Sequence, residues 1–447
     1  MTHQTETTRT LLTIEDAGRD RRRRLVGWGI TGWLTVMMII NWADKGVIGL
    51  AAGPIMRDLH LSPTQFGLAG SSLFFLFCLT PIAVGLIANR VSTRWVLAVL
   101  VVVWSVAQAP VLLFATLPAL LASRILLGAA EGPSTSLLVH HLYTWFPARE
   151  RALPSSIATA GSALGLAIAA PTLTWVITNF GWRAAFLVLA IVGLLWTAVW
   201  LIIGRIGPFT SYAADTTGTT TLAADTTTDP RVPYRKILTT PTWLGGVAGA
   251  HFSYWAVVIS ATWLPTYLER GLGYSLTTTG SIMALPPIVG IVSMIGTGAL
   301  ARWLAARGVP TRWSCGFTIG AIGTISGACL LLLPATGTSD WQIPLLAVAF
   351  GLPSGTLSLV NLTAAEICPV RQRPAVMAFS IIGFSTAGLY APYLTGALIQ
   401  HATSALGGFH HLFWLLGALM LAGGITAAVT IRPHRDARRL GLPTTQH

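Results

Sequence analysis

The chain has 447 residues, of which 53% are hydrophobic and only 10% are charged. Soluble proteins carry about 25% charged residues, so this composition excludes an ordinary soluble domain and indicates a protein with many membrane spans. The four cysteines lie in apolar runs without CxxC spacing, which excludes a disulfide framework or a zinc site as the basis of the fold.

The net charge of +13 arises from 28 Lys and Arg residues against 15 Asp and Glu residues. Most of the basic residues lie near the two termini and in alternate connections between apolar runs. Because positive residues favour the cytoplasmic side of a membrane, this pattern predicts two cytoplasmic termini and an even number of spans. The basic residues therefore indicate topology, and we expect no nucleic-acid partner.

Twelve apolar runs follow one another along the chain, separated by Pro, Gly and Arg. As a helix, each is long enough to cross about 30 Å of hydrocarbon at about 1.5 Å per residue. The predicted spans are 26–52, 64–88, 94–115, 118–142, 151–177, 183–204, 242–268, 276–301, 313–333, 342–366, 373–399 and 409–431. Runs of this length favour helices over barrel strands, which predicts an all-α integral membrane fold with twelve transmembrane helices.

A Thr- and Asp-rich stretch at 215–230 divides the spans into two sets of six and is typical of a flexible linker. The predicted units are listed in chain order: a cytoplasmic N-terminal tail 1–25, a six-helix half 26–204, a cytoplasmic linker 205–241, a second six-helix half 242–431 and a cytoplasmic tail 432–447. The two halves share short patterns in equivalent connections, such as Pro147-x-Arg-x-Arg151 and Pro369-x-Arg-x-Arg373. We therefore predict two pseudo-symmetric repeats with a site between them at mid-depth.

Four charged residues lie well inside predicted spans: Asp44, Lys45, Arg124 and Glu131. Each costs about 2.5–3.5 kcal/mol to insert, so such residues usually have a function. Counting residues from the span ends places Asp44 and Arg124 at similar depth, which predicts an ion pair between them. Glu131 should lie deeper without a fixed partner, where it could take up a proton. The alternative is a purely structural network that locks the first and fourth helices together.

Several motifs resemble the major facilitator superfamily. The segment Gly85-Leu-Ile-Ala-Asn89-Arg90-Val-Ser-Thr-Arg94 is similar to its signature loop, with Asn89 where Asp is usual. Asn41-Trp-Ala-Asp44-Lys45 and Arg124-x-x-x-Gly-x-x-Glu131-Gly-Pro resemble the anion:cation symporter branch of that family. The resemblance implies the major facilitator fold, with Gly85, Asn89, Arg90 and Arg94 in a gating loop.

The same resemblance implies roles for the intramembrane charges. The acids that match Asp44 and Glu131 carry coupled protons in sugar-acid symporters of this branch. The arginine that matches Arg124 pairs with the first acid, and the cation that matches Lys45 meets the substrate carboxylate. In this chain a Lys stands where Arg is more usual, and Lys does not bind a carboxylate through two parallel hydrogen bonds.

Further candidates are polar or aromatic residues near the predicted interface between the halves. Asn41 lies one helical turn before Lys45 and places an amide on the same face. Trp42, Tyr254 and Trp255 could line the cavity, although aromatic residues in membrane helices more often serve packing. Ser385 stands where the branch usually has Asn, and it could hydrogen-bond substrate hydroxyls.

The sequence as a whole predicts a monomeric secondary transporter in the lipid bilayer of a bacterial inner membrane. We expect proton-coupled uptake of a small organic anion, a sugar acid or another carboxylate, by alternating access. No cofactor besides the coupled proton is expected, and no metal site. Without a phosphate-binding loop, HExxH or GxSxG motif, an enzyme is not expected. The alternatives are a proton-antiport exporter of a drug or metabolite and a non-transporting membrane receptor.

Overall fold

A computed structural model describes residues 2–88, 90–147, 150–209, 231–337 and 339–442, with the side chains of residues 2–21, 370 and 374 left aside. The described residues form helices and no strands. We number the twelve membrane helices α1–α12. Their bounds are α1 Arg22–Leu50, α2 Pro63–Ala88, α3 Thr93–Leu113, α4 117–143, α5 Ala152–Phe180, α6 Trp182–Ile203, α7 Pro241–Thr262, α8 Leu276–Ala306, α9 Arg312–Ala335, α10 Gln342–Glu366, α11 Ala375–His401 and α12 Ala405–Thr430.

Each predicted span coincides with one of these helices, which confirms the twelve-helix fold. Eleven helical stretches of the described chain are long and apolar enough to cross a membrane. The fourth crossing is broken into Leu117–Glu131 and Ser134–Tyr143. Pro133 has no N–H to donate to the preceding turn, so the helix is interrupted at this point.

The ends of the chain are more structured than the predicted tails suggest. The first helix extends from Thr2 to Leu50, and no proline interrupts it. After α12, a short helix Pro433–Arg439 places the buried carboxylate of Asp436 against the start of α7. There its Oδ2 accepts hydrogen bonds from the backbone N–H and hydroxyl of Thr242 at 3.0 and 2.7 Å.

Most of the predicted linker, residues 210–230, lies outside the described residues, so its flexibility stays a prediction. Its two flanks are attached to different halves. The N–H of Phe209 donates to the carbonyl of Thr144 at 2.9 Å. On the other side, the Gln372 amide binds the backbone N–H and carbonyl of Val232 at 3.1 and 2.8 Å.

The repeat predicted from short sequence patterns is also present in the geometry. Arg151 precedes α5 and donates to the carbonyl of Tyr143, eight residues earlier, at 3.2 Å. Arg373 precedes α11 and donates to the carbonyl of Ala365, again eight residues earlier, at 3.1 Å. Equivalent arginines therefore hold equivalent connections in the N-terminal half (α1–α6) and the C-terminal half (α7–α12).

Small residues let the helices around the charged cluster approach closely. A Cβ added to Gly161 of α5 would lie 2.7 Å from the carbonyl oxygen of Thr35 in α1. A Cβ added to Gly165 would lie 2.6 Å from the carbonyl oxygen of Ile39. These two glycines therefore let α5 pack closely against α1. Gly128 of α4 lies against the Leu73 carbonyl of α2 in the same way.

The two halves contact each other mainly at the end of the bundle that lies opposite both chain termini, which we call the distal end. The N–H of Thr64 donates to the Gln400 side chain at 3.2 Å, and the rings of Phe66 and Trp263 meet edge to face at 5.1 Å. The opposite end, which carries both termini, is called the terminal end.

Deeper in the bundle, the sulfur of Cys78 lies 3.3 Å from the Ser385 hydroxyl of the other half. Among the described residues, no hydrogen bond joins the halves between this contact and the terminal end. The structure is therefore closed at the distal end.

Candidate functional site

The four intramembrane charges converge in the N-terminal half, between α1 and α4. Asp44 and Lys45 lie on α1, Arg124 and Glu131 on α4, and each is at least nine-tenths buried. Asp44 and Arg124 both lie roughly 10 Å from the distal ends of their helices, at ~1.5 Å per residue. A hydrogen bond of 3.2 Å from Arg124 to the Asp44 carbonyl confirms that the two residues lie at similar depth.

Glu131 has a fixed partner, contrary to the prediction. Its Oε2 lies 2.7 Å from the Nζ of Lys45, and the carboxylate is fully buried. The Asn41 side-chain oxygen accepts a second bond from the same ammonium group at 2.6 Å. Residue counting gave the depth of Glu131 but not its direction around the helix, so the Lys45 contact was not foreseen.

Asp44 and Arg124 meet indirectly, so the predicted direct ion pair is wrong for this structure. Arg124 donates to the backbone carbonyl of Asp44 at 3.2 Å rather than to its carboxylate. Gln108 lies between the two side chains: it accepts from Arg124 at 3.1 Å and donates to Asp44 Oδ1 at 2.8 Å. The guanidinium also lies 5.0 Å from the Phe186 ring centroid, a cation–π distance.

Gln108 is the site residue that sequence reasoning missed. It is fully buried and lies at an interruption of α3, between the segments Thr93–Val106 and Ala109–Leu113. Pro110 lies two residues after it. A lone amide beside a proline in an otherwise apolar run was the signal that could have identified it, because a buried amide needs hydrogen-bond partners.

The interruption of α4 positions Glu131 and connects it to α1. Glu131 is the last residue before the break, and its backbone carbonyl accepts a bond from the Ser134 hydroxyl at 2.6 Å. The same hydroxyl accepts from the Asn41 amide at 3.3 Å. Asn41 therefore orients both the ammonium of Lys45 and the broken segment of α4, rather than facing an open cavity.

A small cavity lies beside the cluster, between the two halves. Its volume is about 30 Å³, and since a water needs about 10–15 Å³, it has room for a water or two. The polar and aromatic lining residues are Trp42, Lys45, Arg124, Tyr254 and Thr262. The remaining lining consists of Ile48, Gly70, Leu73 and Phe74 from the N-terminal half and Val257, Val258 and Ala261 from the C-terminal half.

Aromatic rings surround the ammonium group of Lys45. Its Nζ lies 5.2 Å from the ring centroid of Trp42 and 5.6 Å from that of Phe77. Across the cavity, Phe74 and Tyr254 meet edge to face at 6.1 Å. Trp42 and Tyr254 therefore lie where the sequence predicted them.

Two predicted contact residues do not line this cavity. The Trp255 ring packs edge to face against Tyr390 at 5.2 Å, and its buried indole N–H makes no hydrogen bond in the described part of the chain. Ser385 is 1% exposed and contacts Cys78. Its short hydroxyl does not extend to the cavity.

The predicted gating loop lies at the terminal end. Gly85 is exposed with no atom near its missing Cβ, and Arg90 is exposed. Asn89 lies outside the described residues. Arg94 donates to the Leu201 carbonyl at 2.5 Å and so joins two helices of the same half. The gating role of these residues stays a prediction.

Two acids near the distal end, outside the membrane helices, have contrasting environments. Asp58 Oδ2 accepts the Trp182 indole N–H at 2.8 Å and the Arg183 guanidinium at 2.9 Å, which together lower the pKa of Asp58. Glu269 follows α7 and faces the short helix Ala52–Asp58 of the other half, where burial raises its pKa to about 7 despite the nearby Arg270 and Arg57. Within the described residues, no cluster of His, Cys, Asp and Glu is suited to hold a metal ion.

Comparison with known proteins identifies similar membrane transporters. Residues 34–357 match the profile of the Major Facilitator Superfamily. The chain is similar to the hexuronate transporter of Bacillus subtilis (strain 168), with 26% identity over 405 residues that cover 88% of this chain and 92% of the relative. It is also similar to the probable sulfoacetate transporter of Cupriavidus necator, with 27% identity over 415 residues that cover 90% and 93%.

The fold is similar to a solved bacterial homologue of the human lysosomal transporter Spinster in an inward-facing and unoccupied conformation. The TM-score is 0.69 at 19% identity, over 93% of this chain and 97% of the other. At this identity the likeness concerns the fold alone.

Proposed function

Because the chain belongs to the major facilitator superfamily and is a transporter rather than an enzyme, we propose that it takes up a small organic anion together with protons by alternating access. Relatives named for hexuronate and sulfoacetate support an anionic substrate. We place the protein in a bacterial inner membrane with both termini in the cytoplasm, as the distribution of Lys and Arg favours. The distal end then faces outward, and the closed distal end corresponds to an inward-facing state.

The observation that carries the proposal is the buried ion pair between Lys45 and Glu131. Lys45 lines the cavity between the halves, while Glu131 occupies its ammonium group at 2.7 Å. A substrate anion and the Glu131 carboxylate therefore compete for one cation. Protonation of Glu131 removes its charge and leaves Lys45 free to bind the anion. Binding of the anion at Lys45 is therefore coupled to binding of a proton at Glu131.

Asp44 is the second proton-coupling residue in this proposal. Its Oδ1 is held by Gln108, while Oδ2 has no hydrogen-bond partner among the described residues. A buried carboxylate with one free oxygen can take up a proton there, and Gln108 transmits the change to Arg124. Arg124 lines the cavity, so the charge state of Asp44 can influence the anion site.

The test uses purified protein in liposomes that contain a pH-sensitive dye. Glucuronate, galactonate, sulfoacetate and phenylmethanesulfonate are added outside one at a time, because these anions do not cross a bilayer unaided. Proton symport predicts that a transported anion acidifies the lumen, and that Glu131→Gln abolishes the acidification. The matched control is Lys236→Gln. Lys236 is exposed and lies outside the membrane helices, so this variant should behave like the wild type.

Other outcomes have distinct meanings. If an added anion drives protons out of the liposomes, the protein is an antiporter and the export alternative holds. If an anion binds but neither it nor protons cross the membrane, the receptor alternative holds. Retention of full acidification in Glu131→Gln would contradict the coupling role of Glu131 while leaving anion transport intact.

A further inference from the structure

We infer that the transported anion has an apolar body, such as a hydrocarbon ring or a branched chain, rather than the polyhydroxylated body of a sugar acid. This inference rests on the proposed function and concerns the substrate of the same site. It follows from the chemistry of the cavity wall around Lys45, and it differs from what the name of the hexuronate relative suggests.

Most of the cavity lining around the cation is hydrocarbon. Ile48, Leu73 and Phe74 face the cavity from the N-terminal half, and Val257 and Val258 face it from the C-terminal half. Such a wall favours apolar groups by about 25 cal/mol per Å² of surface removed from water. A carboxylate bound at Lys45 would therefore place its body against aliphatic and aromatic side chains.

Few polar groups are available for substrate hydroxyls. Of the cavity lining, Tyr254 and Thr262 carry hydroxyls, and that of Thr262 already donates to the Val258 carbonyl at 2.8 Å. A sugar acid brings several hydroxyls into the site, and each buried hydroxyl without a partner costs about 1–3 kcal/mol. Two wall hydroxyls, one of which can only accept, leave most of them unpaired.

Two amides and one imidazole near the cavity are already engaged. Asn41 binds Lys45 and Ser134, and Gln108 binds Asp44 and Arg124. In the C-terminal half, His251 contacts the Gly383 carbonyl through Nδ1 at 3.3 Å and the Tyr390 hydroxyl through Nε2. Recruiting any of these groups to a sugar would break an existing hydrogen bond.

The geometry around the cation also favours a flat or bulky apolar body. Trp42 and Phe77 flank the Lys45 ammonium at 5.2 and 5.6 Å. Because the present cavity of about 30 Å³ is too small for either type of anion, side chains must move to admit one. The rings of Phe74 and Tyr254 meet across the cavity, so a cavity that opens between them is lined by aromatic side chains.

The experiment compares two anions of similar size and the same charge. Cyclohexanecarboxylate and glucuronate each carry one carboxylate on a six-membered ring, and they differ chiefly in the hydroxyls of glucuronate. Their Kd values are measured by isothermal titration calorimetry on the purified full-length protein. We expect cyclohexanecarboxylate to bind at least about tenfold more tightly, a factor that corresponds to about 1.4 kcal/mol. Lys45→Gln should abolish the binding of cyclohexanecarboxylate to the site. Heat that remains in this variant measures uptake of the anion by detergent micelles and is subtracted.

The opposite results have different consequences. If glucuronate binds as tightly or more tightly in a Lys45-dependent way, the inference is overturned and the proposed function stands. If Lys45→Gln leaves the binding of both anions unchanged, the proposed site is wrong and the inference fails with it. If neither anion binds, the inference is overturned, because it requires the apolar member of the pair to bind.

A second variant adds a polar group to the wall. Val258→Thr replaces a methyl group with a hydroxyl at nearly constant volume, and Val258→Ala is the matched control that changes packing alone. The preference for cyclohexanecarboxylate should decrease in Val258→Thr but not in Val258→Ala. An unchanged preference in Val258→Thr would contradict the idea that missing hydrogen-bond partners exclude sugar acids.

Discussion

The two halves of the molecule share a backbone plan but differ in the chemistry they bring to the central cavity. Equivalent arginines, Arg151 and Arg373, hold equivalent connections. In the described membrane helices, the buried Asp, Glu, Lys and Arg side chains all belong to the N-terminal half. The C-terminal half contributes Tyr254, Thr262 and small aliphatic residues to the cavity instead. The repeat thus supplies the architecture, while the charges are specific to one copy.

The fourth helix of each half illustrates this difference. Both are interrupted before a proline, and the second part begins at Ser134 in one half and at Ser354 in the other. In the N-terminal half the break follows Glu131, whose carboxylate binds Lys45. In the C-terminal half the break follows Gly351, which has no side chain to ionise. The same helix break therefore positions a titratable group in only one half.

The largest expected effect comes from removing the cation of the N-terminal half. Lys45→Gln should weaken anion binding by about 30-fold to several thousand-fold, because truncating one partner of a buried charge pair costs about 2–5 kcal/mol. Anion uptake by liposomes measures the loss, with exposed Lys236→Gln as control. Uptake at a normal rate in Lys45→Gln would remove the functional distinction between the two halves.

A double variant separates binding from stability in the same half. Lys45→Gln alone leaves Glu131 buried without its partner, which should lower the free energy of unfolding by about 3–5 kcal/mol. Adding Glu131→Gln should recover most of this loss without restoring anion uptake. Thermal unfolding of the wild type, the two single variants and the double variant, monitored by tryptophan fluorescence, gives the four stabilities of this double-mutant cycle. Strictly additive losses would show that the two residues do not interact.

A smaller effect is expected at the amide between Asp44 and Arg124. Gln108→Leu keeps the volume but removes both hydrogen bonds, so uptake should fall about tenfold while the protein stays folded. The matched control is Gln400→Leu, which removes an amide at the distal contact instead. If Gln400→Leu loses more uptake than Gln108→Leu, transport depends more on the amide at the distal end than on the amide between Asp44 and Arg124.

In the C-terminal half, Tyr254→Phe removes only a hydroxyl that faces the cavity. We expect a two- to tenfold increase in Kd for a transported anion and no change in the number of protons moved per anion. Dye-loaded liposomes measure the proton count, and titration calorimetry measures Kd. Loss of proton movement in Tyr254→Phe would mean that coupling is shared between the halves.

The smallest effect concerns the pH dependence of distal closure. Burial raises the pKa of Glu269 to about 7, above the ordinary value of 4.5, so its neutral form is favoured when the distal end is closed. Closure should therefore strengthen as pH falls through about 7 and weaken above it, because deprotonation favours exposure of the carboxylate. Spin labels at the exposed distal positions Asn179 and Thr277 report the separation of the halves, in a background without the native cysteines. Glu269→Gln should remove this pH dependence.

The sequence predicted the fold more completely than the site. Apolar run length and alternating basic connections suffice to locate twelve helices, because the bilayer sets the length of a helix and the charge of its flanks. The depth of Arg124 relative to Asp44 was also predictable, since the helical rise is constant. Hydrogen-bond partners were not, because they depend on how each helix rotates about its axis. That rotation brought Lys45 to Glu131 and Gln108 between Asp44 and Arg124.

The buried cluster also has an electrical consequence. Asp44 and Glu131 together balance Lys45 and Arg124, so in their ordinary ionised forms the four groups sum to zero charge. Moving one elementary charge across a membrane costs about 2.3 kcal/mol per 100 mV, and a neutral cluster avoids this cost. The empty protein can therefore change conformation without opposition from the membrane potential, and so can a form that carries one monovalent anion with one proton. Voltage drives the cycle only when a further proton is bound.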